Sequence, residues 1–422
     1  IVNSDWSSDV CSSDLMKRTN ALIAWSAIGL AMLSFSVSCK KESEKSPVPY
    51  YNAKHITDEN KVAMLHSLKD LDGTGRLFEI NYDVDYKLDQ VLASNIGGTQ
   101  ALFQYIAYLL YDDIDPKSPE VKYGAGCSAF AVDEKAGKNR LMGRNYDFRH
   151  FASDGETLLP TSAILVRTSP KGGKKSISMV DGINLGYGKG FLYDENTDLS
   201  LLMGLPYAAL DGINEDGFAI GVLALREKPT VQTKEGQGKI ATTVAIRMLL
   251  DKASTVKEAI QLLDGYNMDM SADGKTAPEG ATEQGYSNYH FFMADATGDY
   301  AIVEYCYGNN ARTPDRMEVY TANDTLRCVT NFYVSPSMVG HLDGWGSTHG
   351  RKRYDTMRST LADQNYSLSG SEAMNLLQSV AQTPGEELTS MTQWSAVYNL
   401  TEKSVRLAIL RDYGKQFDFK VE

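Results

Sequence analysis

From residue 122 onward, apolar and polar positions alternate in short runs broken by Gly, Asn and Asp clusters. A period of two predicts strands. The first pair brackets "DEKAGKN": a strand at 128–132, a turn holding Gly137 and Asn139, then Leu141 and Met142 leading a second strand into "GRNYDF". Further strands are expected at 162–167, 218–225, 289–294, 300–305, 319–321, 327–330, 395–398 and 405–410. Helical patterning over 99–114, 242–253, 256–263, 351–361 and 371–381 predicts helices. Thr255 with Glu258, and Ser369 with Glu372, have capping-box spacing. Early and late strands with helices between them point to layers of sheet sandwiched by helices.

The N-terminal stretch behaves differently. Residues 1–15, "IVNSDWSSDVCSSDL", have neither hydrophobic period nor targeting logic and read as a cloning or sequencing scar, outside fold reasoning. Residues 16–38 form a secretory signal: Met16, then Lys17 and Arg18, then an apolar run from Ala21 to Ser36. That run is shorter than the roughly 20 residues of a spanning helix. It ends in "SVSCKK", whose small residues before Cys39 resemble a bacterial lipoprotein cleavage box. The expectation is a lipidated Cys39, a solvated linker over 39–50, and a domain anchored to the cell envelope without spanning it. The leaflet, and whether the domain faces periplasm or exterior, stay open.

Composition narrows the function. The chain has 422 residues, 42% hydrophobic and 23% charged, with net charge −12. This is globular composition without the basic face that nucleic acid requires. Six histidines stand at no ligand spacing, and no metal or nucleotide motif occurs, so no cofactor is expected. The 24 tyrosines read as sheet packing.

Cys127, Cys306 and Cys328 lie in the exported part, an odd number, so at least one thiol is unpaired. Cys306 and Cys328 sit in apolar runs, either as packed hydrophobes or paired with each other. Cys127 follows Gly124-Ala125-Gly126 and opens the first hairpin, which returns Arg144 and Asp147 toward it. A neighbouring cation lowers a thiol's pKa, and a carboxylate orients a protonated nitrogen. By spacing alone, an Arg and an Asp three apart are far more often a surface pair than a catalytic couple.

"CSAFAVDEKAGKNRLMGRNYDF" resembles the choloylglycine hydrolase superfamily of linear amide C–N hydrolases, which includes bile salt hydrolases, penicillin V acylases and acid ceramidase relatives. The likeness continues in order through "LDGINEDGFAIGVL", "NYHFFMADATGDYAIVEY", "VTNFY", "RKRYDTM" and "WSAVYNLTEKSVRLAI", nearly to the C-terminus. It implies an N-terminal-nucleophile αββα sandwich: two stacked, largely antiparallel sheets flanked by helices. It also implies cleavage between Gly126 and Cys127, with 51–126 as a pro-region and 127–422 as the catalytic domain. The freed α-amine, which titrates near neutrality, would take the thiol proton. The resemblance assigns Cys127 as nucleophile, Arg144 beside the sulfur, Asp147 to the α-amine, Asn331 near the oxyanion hole, and Arg353 as the late arginine, with Arg351 as rival. Ala224 stands where bile salt hydrolases carry a second asparagine, and "NEDG" at Asn214 reads as a hairpin turn.

Three functions follow. The first is a lipid-anchored amidase acting on a small N-acyl amide (conjugated bile salt, fatty amide or penicillin V-like) through a thioester. The second is an acyltransferase on the same scaffold. The third is a non-catalytic envelope binding lipoprotein. The four residues Cys127, Arg144, Asp147 and Asn331 favour an enzyme over the third. Homo-oligomerisation stays open.

Overall fold

The computed structural model describes residues 48–113, 125–135, 137, 139–148, 162–225, 230–271, 288–307, 314–321, 326–338, 350–383 and 391–422. Contacts divide the chain after Ser46, and all of these residues lie in the second unit. The scar, the signal and Cys39 lie outside the described residues.

Two large sheets carry the fold. The first has nine strands in the order β1 (Lys69–Asp70), β2 (Leu77–Tyr82), β5 (Ala163–Thr168), β6 (Ser176–Asp181), β7 (Ala209–Asn214), β8 (Ala219–Leu225), β11 (Asn288–Ala294), β12 (Tyr300–Tyr307) and β13 (Pro314–Thr321). The second has seven, in the order β14 (Cys328–Val329), β3 (Ala125–Glu134), β4 (Arg140–Phe148), β16 (Met391–Asn399), β17 (Ser404–Ile409) and β18 (Gln416–Lys420), with β15 (Ser367–Leu368) beside β3. β9 (Lys239–Ile240) and β10 (Asn267–Met268) form a separate parallel pair. Pairing within the large sheets is antiparallel except for β2 with β5 and β15 with β3.

One apolar core lies on the first sheet's outer face, where Phe78, Ile164 and Ile220 meet helices α1 (Glu59–Leu65), α2 (Leu88–Ala93), α3 (Thr99–Leu110), α4 (Thr242–Lys252) and α5 (Val256–Asp264). The second joins both sheets: Cys127, Met142 and Trp394 of one with Leu165, Ile213 and Leu223 of the other. It continues into α6 (Arg351–Asp363) and α7 (Gly370–Ser379) through Tyr354, Met357 and Leu377. The layers are therefore helix, sheet, sheet, helix, the αββα arrangement.

Several differences from the sequence expectations have clear causes. β6 and β7 lie outside the expected strands although β6 alternates over 176–179; both carry polar residues, Ser176, Ser178, Asp181 and Asp211, at buried positions. Leu199–Tyr207 is a buried 3-10 segment with Pro206 inside it, which gives no clean helical period. The hairpin is longer than 128–132 suggests, and Gly126 is already paired, opposite Asp147, so the peptide bond before Cys127 lies in a ladder rather than in a free approach. The 51–126 segment is woven into the domain, since β2 runs beside β5 from Leu77↔Ala163 to Tyr82↔Thr168. At the helix starts, Ser369 and Glu372 make the full capping box, whereas Glu258 turns to the Ser254 N–H and leaves only the Thr255 half. Asn214 is the expected turn, its Oδ1 accepting from the N–H groups of Asp216 and Phe218.

Phe130 of β3 lies across Gly143 of β4, and a Cβ at 143 would come within 2.3 Å of the ring. Gly143→Ala is expected to destabilise the folded chain by about 1–3 kcal/mol. Chemical denaturation at constant m-value checks it, and an unchanged midpoint would contradict it.

Candidate active site

The β3–β4 register decides what surrounds Cys127. Cys127 is opposite Tyr146, Ser128 opposite Asn145, and Gly126 opposite Asp147. Opposed residues share a face, and successive residues alternate. Cys127 therefore joins Arg144 and Tyr146 on the face toward the other sheet. Asn145 and Asp147 lie on the helix face, where Asn145 Nδ2 donates to the Leu377 carbonyl of α7 at 2.8 Å.

On the inner face Arg144 is fully buried. Its Nε is 2.8 Å from Asp211 Oδ2 on β7, and its Nη2 donates to the Val222 carbonyl on β8 at 2.7 Å. Asp211 also accepts from the Tyr398 hydroxyl and, at 3.1 Å, from Trp394 Nε1. One carboxylate thus gathers a guanidinium from the hairpin and two donors from β16. Gly221 makes room for this, since a Cβ there would stand 2.7 Å from Arg144 Cδ and Nε. The Cys127 thiol lies in this environment at 1% exposure. Its pKa is raised: burial pushes it up, the Arg144 charge draws it down, the Asp147 charge adds to the rise, and hydrogen bonds from the Asp147 backbone N–H and from Arg144 oppose it. Cys306 and Cys328 are free thiols, not a disulfide, each raised to about 12 by burial.

On the other side the Cys127 backbone is held at both polar atoms. Its N–H donates to Asn331 Oδ1 at 2.6 Å. Its carbonyl accepts from Arg353 Nη1 at 2.5 Å. Arg353 also reaches Ser128 Oγ at 2.8 Å and Asn331 Oδ1 at 2.9 Å, and its Nη1 lies 3.7 Å from Asp147 Oδ2. Asp147 Oδ1 accepts from the Thr392 hydroxyl at 2.6 Å. Asn331 Nδ2 donates to the Ala224 carbonyl at 2.7 Å, so position 224 contributes a backbone acceptor.

Cys127, Arg144, Asp147, Asn331 and Arg353, separated by up to 226 positions, therefore meet around one residue. Arg351, two residues before Arg353, turns to Asp355 on the exposed side of α6, 3.1 Å away. Asp211, Thr392 and Ser128 also belong to the cluster, and spacing did not single them out. The only trace of Asp211 in the sequence is a carboxylate within the apolar run "AALDGI", a position a strand buries. Among the described residues no group of three or more His, Cys, Asp or Glu side chains could hold a metal ion. The chemistry available is a thiol beside a buried cation, with its own backbone nitrogen fixed by an asparagine.

The sequence profile of the family described as acyl-coenzyme A:6-aminopenicillanic acid acyl-transferase matches residues 133–409. No curated protein matches the chain. Among solved structures, a mutant of the conjugated bile acid hydrolase from Clostridium perfringens is similar with a TM-score of 0.46 and 16% identity, over 70% of this chain and 92% of that one. A second variant of the same hydrolase gives 0.44, at 16% identity and the same coverage. The penicillin V acylase from Agrobacterium tumefaciens gives 0.42 at 17% identity, over 67% of this chain and 83% of that one.

Arg144 lowers the Cys127 thiol pKa, so its loss should raise that pKa further. The double variant Arg144→Met with Asp211→Asn removes the buried ion pair without leaving a lone charge. Thiolate is the attacking form, so the pH–rate profile of any reaction at Cys127 is expected to shift to higher pH. A profile that stays in place in a folded double variant would contradict this reading of Arg144.

Proposed function

The chain belongs to the acyl-coenzyme A:6-aminopenicillanic acid acyl-transferase family, and from that premise we propose that it is an exported cysteine amidase that cleaves the linear C–N bond of an N-acyl amide. The observation that carries the proposal is the hold on Cys127. Its side chain faces a buried guanidinium while its backbone nitrogen, 2.6 Å from Asn331 Oδ1, is placed to become a free amine.

The steps follow from these positions. Cys127 Sγ attacks the Gly126 carbonyl, the C–N bond to Cys127 breaks, and the nitrogen takes the proton. Water then hydrolyses the resulting thioester, leaving a Gly126 carboxylate and the Cys127 α-amine. In the matured enzyme that amine removes the thiol proton. Sulfur attacks the substrate carbonyl, the leaving amine departs with the proton, and an acyl thioester remains on Cys127. Water, deprotonated by the same amine, releases the acid. Arg144 stabilises the thiolate. Asp147 is the counter-charge for the ammonium, its Oδ1 fixed by Thr392. The Asn331 amide nitrogen carries two hydrogens, one directed to the Ala224 carbonyl, and the second serves the oxyanion. Arg353 keeps the Cys127 carbonyl and Asn331 in register.

The family's name favours a second reading in which an amine, rather than water, takes the acyl group. The thioester is common to both, so the acceptor alone separates them. The lipid anchor at Cys39 and a position in the bacterial cell envelope belong to the same proposal, resting on the "SVSCKK" box.

Penicillin V and fatty or bile-acid N-acyl amides, tested with acid quenching and mass spectrometry, should add the acyl mass to the Cys127 fragment of the wild type and nothing to Cys127→Ala. Product analysis with added 6-aminopenicillanic acid distinguishes hydrolysis from transfer. An acylated species at any residue other than Cys127, or none with every amide tried, would overturn the amidase reading. Separately, Cys39→Ala should move the protein out of the detergent phase after extraction of cells. Equal partitioning would remove the anchor.

A further inference from the structure

The segment 330–335 that carries Asn331 has no regular secondary structure, yet Thr330 to Tyr333 and Ser335 are fully buried. A buried irregular segment cannot satisfy its backbone through a ladder, so its N–H and C=O groups need other partners. Two side chains from the first sheet supply them. Glu304 on β12 accepts the Val334 N–H at Oε1 and the Ser335 N–H at Oε2, both at 2.9 Å. His290 on β11 lies 2.7 Å from the Thr330 carbonyl through Nε2 and 3.0 Å from Glu304 Oε1 through Nδ1. Both side chains are fully buried.

Nε2 faces a carbonyl, so it donates, and Nδ1 shares a hydrogen bond with the Glu304 oxygen that also receives the Val334 N–H. Among the described residues, the other side-chain hydrogen bonds of this buried pair go to the segment flanking Asn331. A buried polar pair of this kind contributes little net stability compared with apolar residues of the same volume. What this pair supplies is position.

We propose that His290 and Glu304 are positioning residues that set Asn331, and through it the Cys127 nitrogen, for chain cleavage and acyl transfer. The line of contact is continuous. Glu304 holds His290 and residues 334–335, His290 holds Thr330, and Asn331 holds the Cys127 N–H. Thr330 Oγ1 also donates to the Gly350 carbonyl at 3.1 Å, at the start of the helix carrying Arg353. One pair therefore sits behind both groups that grip the Cys127 backbone.

The proposal rests on the reading of Cys127 as a nucleophile, and its test keeps the two apart. The rate at which the freshly refolded full chain splits at Cys127 is followed by intact mass, beside thermal unfolding, for the wild type and four variants. His290→Leu and Glu304→Gln are expected to slow cleavage roughly tenfold or more through misplacement of Asn331. His290→Gln, whose amide can still donate to the Thr330 carbonyl, should recover part of the rate. The double variant His290→Phe with Glu304→Leu replaces the buried polar pair with apolar volume, so it should melt no lower than wild type yet cleave slowly. A folded double variant that cleaves at the wild-type rate overturns the positioning role while leaving the nucleophile intact. If the double variant fails to fold, Glu304→Gln decides in its place, and cleavage at the wild-type rate there overturns the positioning role in the same way. A wild-type chain that never splits overturns both readings.

Discussion

The site depends on one constraint, the register of the β3–β4 ladder. Strand residues alternate faces, so pairing Cys127 with Tyr146 assigns every neighbour a side. The thiol and Arg144 go to the interior between the sheets. Asp147, Asn331 and Arg353 act from the other side, on the backbone. A slip of β3 by one residue would pair Cys127 with Asp147 and turn the thiol to the helix face, away from Arg144. The side-chain and backbone roles of a single cysteine are thus separated by the parity of a hairpin.

The charges follow from that separation. Arg144 can remain ionised between two sheets because Asp211 faces it at 2.8 Å, with Tyr398 and Trp394 completing the carboxylate. Its bonds to the Asn145 and Val222 carbonyls fix the guanidinium in place. The thiol is therefore next to a cation that cannot swing away. The same burial that protects this arrangement raises the thiol pKa, so the cation and the nearby nitrogen must together offset a desolvation cost. The 51–126 segment stays integral to the first sheet through β2, so fragments separated at Cys127 would remain one folded body under native conditions.

Much of this was legible in the residues. The alternation around "DEKAGKN" gave the hairpin, glycine before a cysteine marked the unusual position, and the ordered motifs placed Asn331 and Arg353 far along the chain. The αββα layering came with the resemblance. What stayed hidden was two-dimensional. Asp211 is tied to Arg144 only by stacking of two sheets. Thr392 meets Asp147 beside an irregularity in the β16 ladder, between Thr392 and Trp394. His290 looked like a scattered histidine, because its partners lie 14 and 40 positions away. β6 and β7 were hidden because polar residues such as Ser178, Asp181 and Asp211 occupy buried positions in them.

In the proposed mechanism the chain makes its own nucleophile by exposing the Cys127 nitrogen, and everything else at the site serves that step. The decisive experiment is to determine the N-terminal residue of the large fragment after denaturing purification of the refolded chain. The expected fragment begins at Cys127, runs to Glu422 and is absent from Cys127→Ala. A chain that stays whole, or a new terminus at any other residue, would contradict the mechanism.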